Sequence, residues 1–345
     1  MKIIVSGASG LIGKPLVASL RKQGHEVTQL VRRGAKQNES QWNPATGVID
    51  TAIIDGADAV IHLSGAGIGD RRWTTKYKQE LLDSRTKSTA LLATTIAKTN
   101  KKPSVFLSGS AIGIYGARGD ELLTEQSSHG MSFLADICKQ WEAAAKPAVD
   151  AGVRTVYLRT GIVLTPLGGA LKKQLPLFKL GLGGKFGNGK QWQSWISLDD
   201  EISAIEHLLT ANISGAVNLT APNPVTNAEF TNSMARALKR LAILPIPKFG
   251  PSLLLGGELA DALLFSGQRV MPTELQKVVR VVRRVVRGVR VVRRVVRVVR
   301  RVVRVVRVVR RVVRVVRRVV RVVRVVRRVV RVVRRVVRVV WRVLQ

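Results

Sequence analysis

The feature that most constrains this chain is its first thirteen residues, MKIIVSGASGLIG. Ile3-Ile4-Val5 is an apolar run of the length of a buried strand, and Gly7, Gly10 and Gly13 follow at a spacing of three. Leu11, Ile12, Leu16, Val17 and Leu20 then continue at helical spacing. Strand, glycine turn and helix in this order predict a cradle for a dinucleotide diphosphate. Glycines let backbone come close to a phosphate, and a helix N-terminus offers it unpaired N–H groups and the positive end of a dipole. The plainer alternative is a tight strand-to-helix turn that holds no ligand.

The next segments develop that reading. Residues 24–31 form a turn and a second strand, whose end meets the adenine ribose in a dinucleotide-binding sheet. An acidic residue there would bind the ribose 2′-hydroxyl and indicate NAD. Arg32 and Arg33 stand there instead. Two guanidinium groups suit a 2′-phosphate, so NADP is the expected cofactor, against the alternative of a solvated basic loop. The run DAVIHLS at 58–64 is a third buried strand, closed by Gly65-Ala66-Gly67. His62 lies inside that apolar run and reads as a core histidine rather than a reactive one.

A helix is expected from Ser84 to Ala97, a strand at 104–110 (SVFLSGS), a helix from Phe133 to Val149 and a strand at 154–164. The strand at 104–110 ends in hydroxyls, and one of them beside a nicotinamide can hydrogen-bond a substrate carbonyl. Strands alternating with helices predict an α/β fold with a doubly wound parallel sheet of Rossmann type. We assign 1–165 to that domain, with segments near 190–225 returning to it, and 166–277 mainly to a smaller α/β cap or substrate domain. Trp192 and Trp195 are either core or pocket wall. Pro245, Pro247 and Pro251 mark a linker before a helix around 253–265.

Charge needs care. The chain of 345 residues carries a net charge of +36, which at face value suggests a nucleic-acid binder. Yet 26 of its 58 Lys and Arg lie in 278–345, where there is no acid. That stretch alternates VVR and VVRR, and residues 302–318 and 319–335 are identical. It reads as a translated tandem DNA repeat that has overwritten the natural C-terminus. As a physical object it is at most a basic amphipathic helix that binds anions without specificity. Its removal is expected to leave cofactor binding intact. The remaining 277 residues carry 32 Lys and Arg against 22 acids, a balance that suits a phosphate-bearing small molecule and calls for no specific nucleic acid. Cys138 is the only cysteine, no secretory signal is recognised and no apolar run is long enough to span a membrane, so a cytoplasmic protein is expected.

Several longer strings resemble one family. They are GASGLIG at 7–13, WNPATGVID at 42–50, VIHLSGAGIGDRRWT at 60–74, FLSGSAIGIYG at 106–116 and FLADICKQWEAAA at 133–145, followed by LRTGIVL at 158–164, SWISLDD at 194–200, NLTAPNPVTNAEF at 218–230 and GELADALLFSGQRVMP at 257–272. Over residues 1–277 the chain resembles the extended short-chain dehydrogenases/reductases. Within them it resembles the epimerase-like family with a C-terminal domain of unknown function, whose members are sometimes labelled SulA-type cell-division inhibitors.

The resemblance implies a Rossmann domain that binds NADP. Gly7, Ser9, Gly10, Leu11, Ile12 and Gly13 would carry the diphosphate, Arg32 and Arg33 the adenosine phosphate, and Leu63 and Gly65 would line the cofactor's path. Ser110 falls where the superfamily keeps a catalytic Ser or Thr. The superfamily's Tyr-x-x-x-Lys pair falls on Leu134 and Cys138, which can do neither job, and Lys139 is one residue off, about 100° around a helix. Tyr115 is the substitute acid on offer. The expected function is an NADP-dependent, epimerase-like oxidoreductase acting on a small molecule. The alternative is a nucleotide-binding regulatory protein with little catalysis.

Overall fold

The computed structural model describes residues 1–242 and 244–277. The expectations for the Val/Arg repeat at 278–345 lie outside the described residues. Eight strands form one sheet: β1 (Lys2–Ser6), β2 (Glu26–Val31), β3 (Glu39–Asn43), β4 (Val48–Ile49), β5 (Ala59–His62), β6 (Val105–Ala111), β7 (Arg154–Thr160) and β8 (Gly215–Leu219). Their order is β8-β7-β6-β5-β1-β2-β3-β4. Every pair is parallel except the last, where β4 closes the edge antiparallel to β3. This is the doubly wound α/β sheet expected from the sequence, with its order reversing at β1 and β5.

The strands read as continuous apolar runs because both faces of the sheet are covered. Ile3, Val5, Ala59, Ile61, Val105 and Leu107 face one way, onto Leu16 and Leu20 of α1 (Gly13–Lys22). Ile4, Val60 and Phe106 face the other way, onto Leu92 and Ile96 of α2 (Thr75–Lys98). Most of these side chains are fully buried, which contributes roughly 1.5–3 kcal/mol apiece. Further along lie α3 (Phe133–Ala143), α4 (Lys146–Asp150), α5 (Gly169–Lys179) and α6 (Leu198–Thr210), and α6 joins α1 on the first face.

Three expected elements are interrupted. The helix expected over 133–149 divides at Ala144-Ala145, because Pro147 has no N–H to continue the ladder and starts α4 in its first turn. The strand expected over 154–164 breaks at Gly161, where a Cβ would lie 2.7 Å from the carbonyl oxygen of Ser194. Residues 162–164 turn aside there to pair with 195–197. The helix around 253–265 becomes the short pieces Phe249–Leu255, Gly257–Ala260 and Asp261–Phe265, separated first at Gly256, whose φ is +90°. Among the described residues no helix is long and apolar enough to cross a membrane.

Candidate functional site

The turn after β1 is built by glycines that do different work. Gly7 has φ +73°, and a Cβ on it would lie 2.6 Å from the backbone of Leu63. A Cβ on Gly13 would lie 2.1 Å from the Gly7 carbonyl oxygen. The fold itself therefore requires both, to pass β5 and to start α1 close against the strand. Gly10 is different. It is exposed, its φ lies outside the left-handed region, and a Cβ on it would meet only the Gly7 oxygen, at 3.1 Å. The N–H groups of Leu11 and Ile12, just ahead of α1, have no acceptor among the described residues. Ser9 is exposed beside them. The Leu11 side chain packs on Gly168 at the start of α5, where a Cβ would come within 2.7 Å of it. The Leu63 N–H donates to the Ser6 carbonyl, which draws the β5 end against this turn.

Arg32 and Arg33 leave β2 together into an exposed loop but part in their bonding. Arg33 donates from both terminal nitrogens to the Glu39 carboxylate, each at 2.7 Å. That hydrogen bonding, more than any other influence, holds the Glu39 carboxyl at about 2. Arg32 makes no hydrogen bond or ion pair among the described residues, so its guanidinium stands free at the point where an adenosine phosphate is expected.

At the end of β6 the side chains bind one another. Ser110, Arg159 of β7 and Asn218 of β8 are in register across three strands, so they share one face. Glu142 of α3 lies over that row. Ser110 Oγ donates to Glu142 Oε1 at 2.7 Å, and Arg159 donates to both oxygens of the same carboxylate at 2.8 and 2.9 Å. Arg159 also donates to the Tyr115 hydroxyl at 2.9 Å, and Tyr115 donates to Asn218 Oδ1 at 2.7 Å. The chain continues from the Asn218 N–H to Glu125, which accepts from Thr273. Ser110, Tyr115, Glu125, Glu142, Arg159 and Asn218 are all buried. Burial opposes charge on Arg159, but its bonds to Glu142 more than offset this and keep it ionised. The Tyr115 phenol is fully buried, with its hydrogen given and a lone pair taken, and its acidity is weakened chiefly by burial.

The structure thus brings Ser110 and Tyr115 into one network through Arg159 and Glu142, and sets both apart from Arg32 and Arg33. On α3, Leu134 is half-buried and carries no titratable group. Cys138 is buried and its thiol is pushed up to about 12, mainly by that burial. Lys139 turns outward to Asp136. His62 is fully buried, and its ring nitrogens meet Ser6 Oγ at 2.6 Å and Ser88 Oγ at 3.1 Å. Burial, and then the charge of Arg85, holds its imidazole down at about 3, so it is neutral, as a core histidine should be.

Sequence reasoning passed over Glu142 and Arg159, although both lie inside the quoted strings. It also passed over Arg85 on α2 and Glu201 on α6. Glu201 is fully buried, accepts from Thr160 Oγ1 at 2.8 Å and is raised to about 8 by burial. Arg85 and Glu201 stand at apolar-stripe positions of their helices, in line with Leu81, Leu92 and Ile96 and with Leu198, Ile205 and Leu208, and that spacing is the signal that could have drawn attention to them. Trp192 lines a cavity of ≈ 350 Å³ with Arg269, Asn223 and Glu229, and the Arg269 guanidinium lies 4.4 Å from its ring centroid. That tryptophan is pocket wall.

Comparison with known proteins places these geometries among relatives. The model of the NAD dependent epimerase/dehydratase family matches residues 3–220, and that of a domain of unknown function, DUF1731, matches 246–278. Epimerase family protein Mb2239 of Mycobacterium bovis is 43% identical over 280 residues, spanning 80% of this chain and 91% of its own. The crystal structure of the human epimerase family protein SDR39U1 with NADPH has a TM-score of 0.72 at 34% identity, covering 79% of this chain and 92% of that one. A nucleoside-diphosphate sugar epimerase from Corynebacterium glutamicum has a TM-score of 0.65 at 38% identity, covering 81% of this chain and 54% of that one.

Proposed function

This chain belongs to the NAD dependent epimerase/dehydratase family, and from that premise we propose that it binds NADP(H) across the turn after β1 and uses it to oxidise or reduce a small substrate. The observation that carries the reading is the turn itself. Gly10 is exposed and its missing side chain is not demanded by packing, beside two N–H groups that have no acceptor among the described residues. That is the form of a phosphate cradle, and the diphosphate fits it. The human relative was solved with NADPH, and Arg32, unpaired among the described residues, supports the phosphorylated form of the cofactor. Arg33, already held by Glu39, shapes the loop and adds a weaker attraction.

When bound, the cofactor supplies a hydride donor or acceptor. The rest of the chemistry belongs to the chain. Ser110 gives its hydrogen to Glu142, so the Oγ lone pairs remain for a substrate hydroxyl, which Ser110 would orient. Glu142 fixes that serine by one hydrogen bond and is itself held by two from Arg159. Tyr115 holds Arg159 and Asn218 together and is assigned a holding role, because its one hydrogen is spent inside the cluster and it accepts from Arg159 there.

Titration of the full chain with NADPH and NADH, followed by nicotinamide fluorescence, tests the reading. NADPH should bind at least about tenfold more tightly, and Arg32→Ala should bring it down to the NADH level, the loss of one charge-assisted contact. Arg33→Ala should cost less. Equal binding of the two cofactors overturns the phosphate assignment, and binding of neither overturns the reading. Intact binding with no turnover across carbonyl and sugar-nucleotide panels would favour a nucleotide-binding regulatory protein.

A further inference from the structure

Among the described residues one cation is buried without an anion. Arg85 lies on α2 and is 8% exposed. Its one hydrogen bond runs from Nη1 to the Leu81 carbonyl at 3.0 Å, within its own helix. No carboxylate among the described residues lies within ion-pair distance of it. The guanidinium carbon stands 5.1 Å from the ring centroid of Trp141. A Cβ added to Gly65 would come within 3.2 Å of that carbon, so the guanidinium lies against the exposed backbone just past β5. The same Trp141 ring covers Gly109, where a Cβ would lie 2.7 Å away, and Ser110 is the next residue. Trp141 is followed on α3 by Glu142, to which Ser110 donates, so adjacent residues of α3 meet Arg85 and Ser110.

Contrast with Arg159 shows what is odd. Arg159 is also buried but donates from Nε and Nη2 to Glu142. Arg85 has a carbonyl and an aromatic face, which leave its net charge uncompensated. A buried charge with no counter-ion costs stability, and chains keep such a group where a ligand supplies the missing partner. The fork of a guanidinium fits a planar carboxylate through two parallel N–H···O bonds.

We propose that Arg85 is the anion-binding residue of this site and that the substrate carries a carboxylate, held on Arg85 while Ser110 orients the reacting oxygen. This rests on the reading above that the end of β6 is the reaction site. It narrows the substrate to hydroxy or carbonyl compounds bearing an acid group. It also accounts for Gly65, since any side chain there would stand against the guanidinium.

The test uses the full chain loaded with NADPH. Acetate, pyruvate and oxalate are titrated as probes, with acetamide and pyruvamide as neutral counterparts, and nicotinamide fluorescence is the readout. At least one carboxylate should give a saturable change, and its amide should bind about thirtyfold more weakly or not at all. Arg85→Lys, which keeps the charge and loses the fork, should weaken the carboxylate about tenfold. Arg85→Met should abolish it while NADPH affinity stays within about twofold. Its melting temperature should hold or rise, because an uncompensated charge has been removed. Indifference of the NADPH-loaded protein to every carboxylate, or equal carboxylate binding by Arg85→Met, overturns the proposal and leaves the cofactor reading standing. A tenfold loss of NADPH affinity in Arg85→Met assigns the residue to the cofactor and overturns it too. A fall in melting temperature with carboxylate binding unchanged would make Arg85 structural. Failure of the unaltered chain to bind NADPH at all would instead count against the reading on which the proposal rests.

Discussion

The turn after β1 and the cluster after β6 lie at the same end of the sheet, since both are carboxyl ends of parallel strands. They are made in opposite ways. The turn keeps side chains out and leaves backbone N–H groups free, so it is open to a ligand without rearrangement. The cluster is almost wholly committed inward: Ser110, Glu142, Arg159, Tyr115 and Asn218 satisfy one another across three strands and α3. The difference teaches that binding and chemistry are separable here. The turn can hold a cofactor whatever happens at β6, and the cluster can hold the fold whatever happens at the turn.

The sharpest way to break that comparison is to open the cluster. Arg159→Leu leaves Glu142 buried without its cation, and should cost about 3–5 kcal/mol in urea unfolding. The truncation should also release the Tyr115 hydroxyl. A loss no larger than that of an exposed Lys101→Leu control would mean that the cluster does not bear on stability.

The complementary experiment closes the turn. Gly10→Val places branched carbon over the cradle at a position where the fold tolerates a Cβ with a shift of a few tenths of an ångström. NADPH affinity should fall by about 100-fold, or roughly 2.7 kcal/mol. Stability should drop by no more than about 1 kcal/mol. If both fall together, the turn and the fold are not separable.

The effect that is smallest per step is in the pH dependence, and it also distinguishes regions. His62 is held at about 3 in the fold against 6.5 when exposed. As pH drops below 6.5 the unfolded chain takes up a proton that the folded chain refuses, so stability is lost progressively toward pH 3. Glu201 runs the other way, at about 8 in the fold against 4.5 exposed. Its contribution is complete below pH 4.5 and is lost as pH rises through 8. Each limb should slope by at most about 1.4 kcal/mol per pH unit. Glu201→Gln should flatten the alkaline limb and leave the acid limb unchanged in denaturation curves taken from pH 4 to 9. An unchanged alkaline limb would mean that Glu201 does not titrate in this range.

The parallel sheet was legible because its central strands β1 and β5 are apolar runs and the helices between strands keep their own period. The positions of Gly7 and Gly13 were legible for the same local reason, since backbone conformation and close packing act over a few residues. Gly161 and Pro147 were visible too, but their effect was underestimated: each ends an element that apolar content alone would extend. Arg32 and Arg33 look identical in sequence and part only when β3 brings Glu39 beside one of them.

By itself, then, the sequence determined the fold class and the glycine turn, because both follow from residues near one another or from their periodicity. Only the tertiary structure decided that Tyr115 faces Asn218, 103 residues away, and that Glu142 joins Ser110 to Arg159. It alone left Arg85 buried without an anion among the described residues. Those outcomes depend on strand register and on which helix covers which strand. Long-range pairing of this kind leaves no repeating mark in the chain, because its partners are chosen by the sheet rather than by their neighbours.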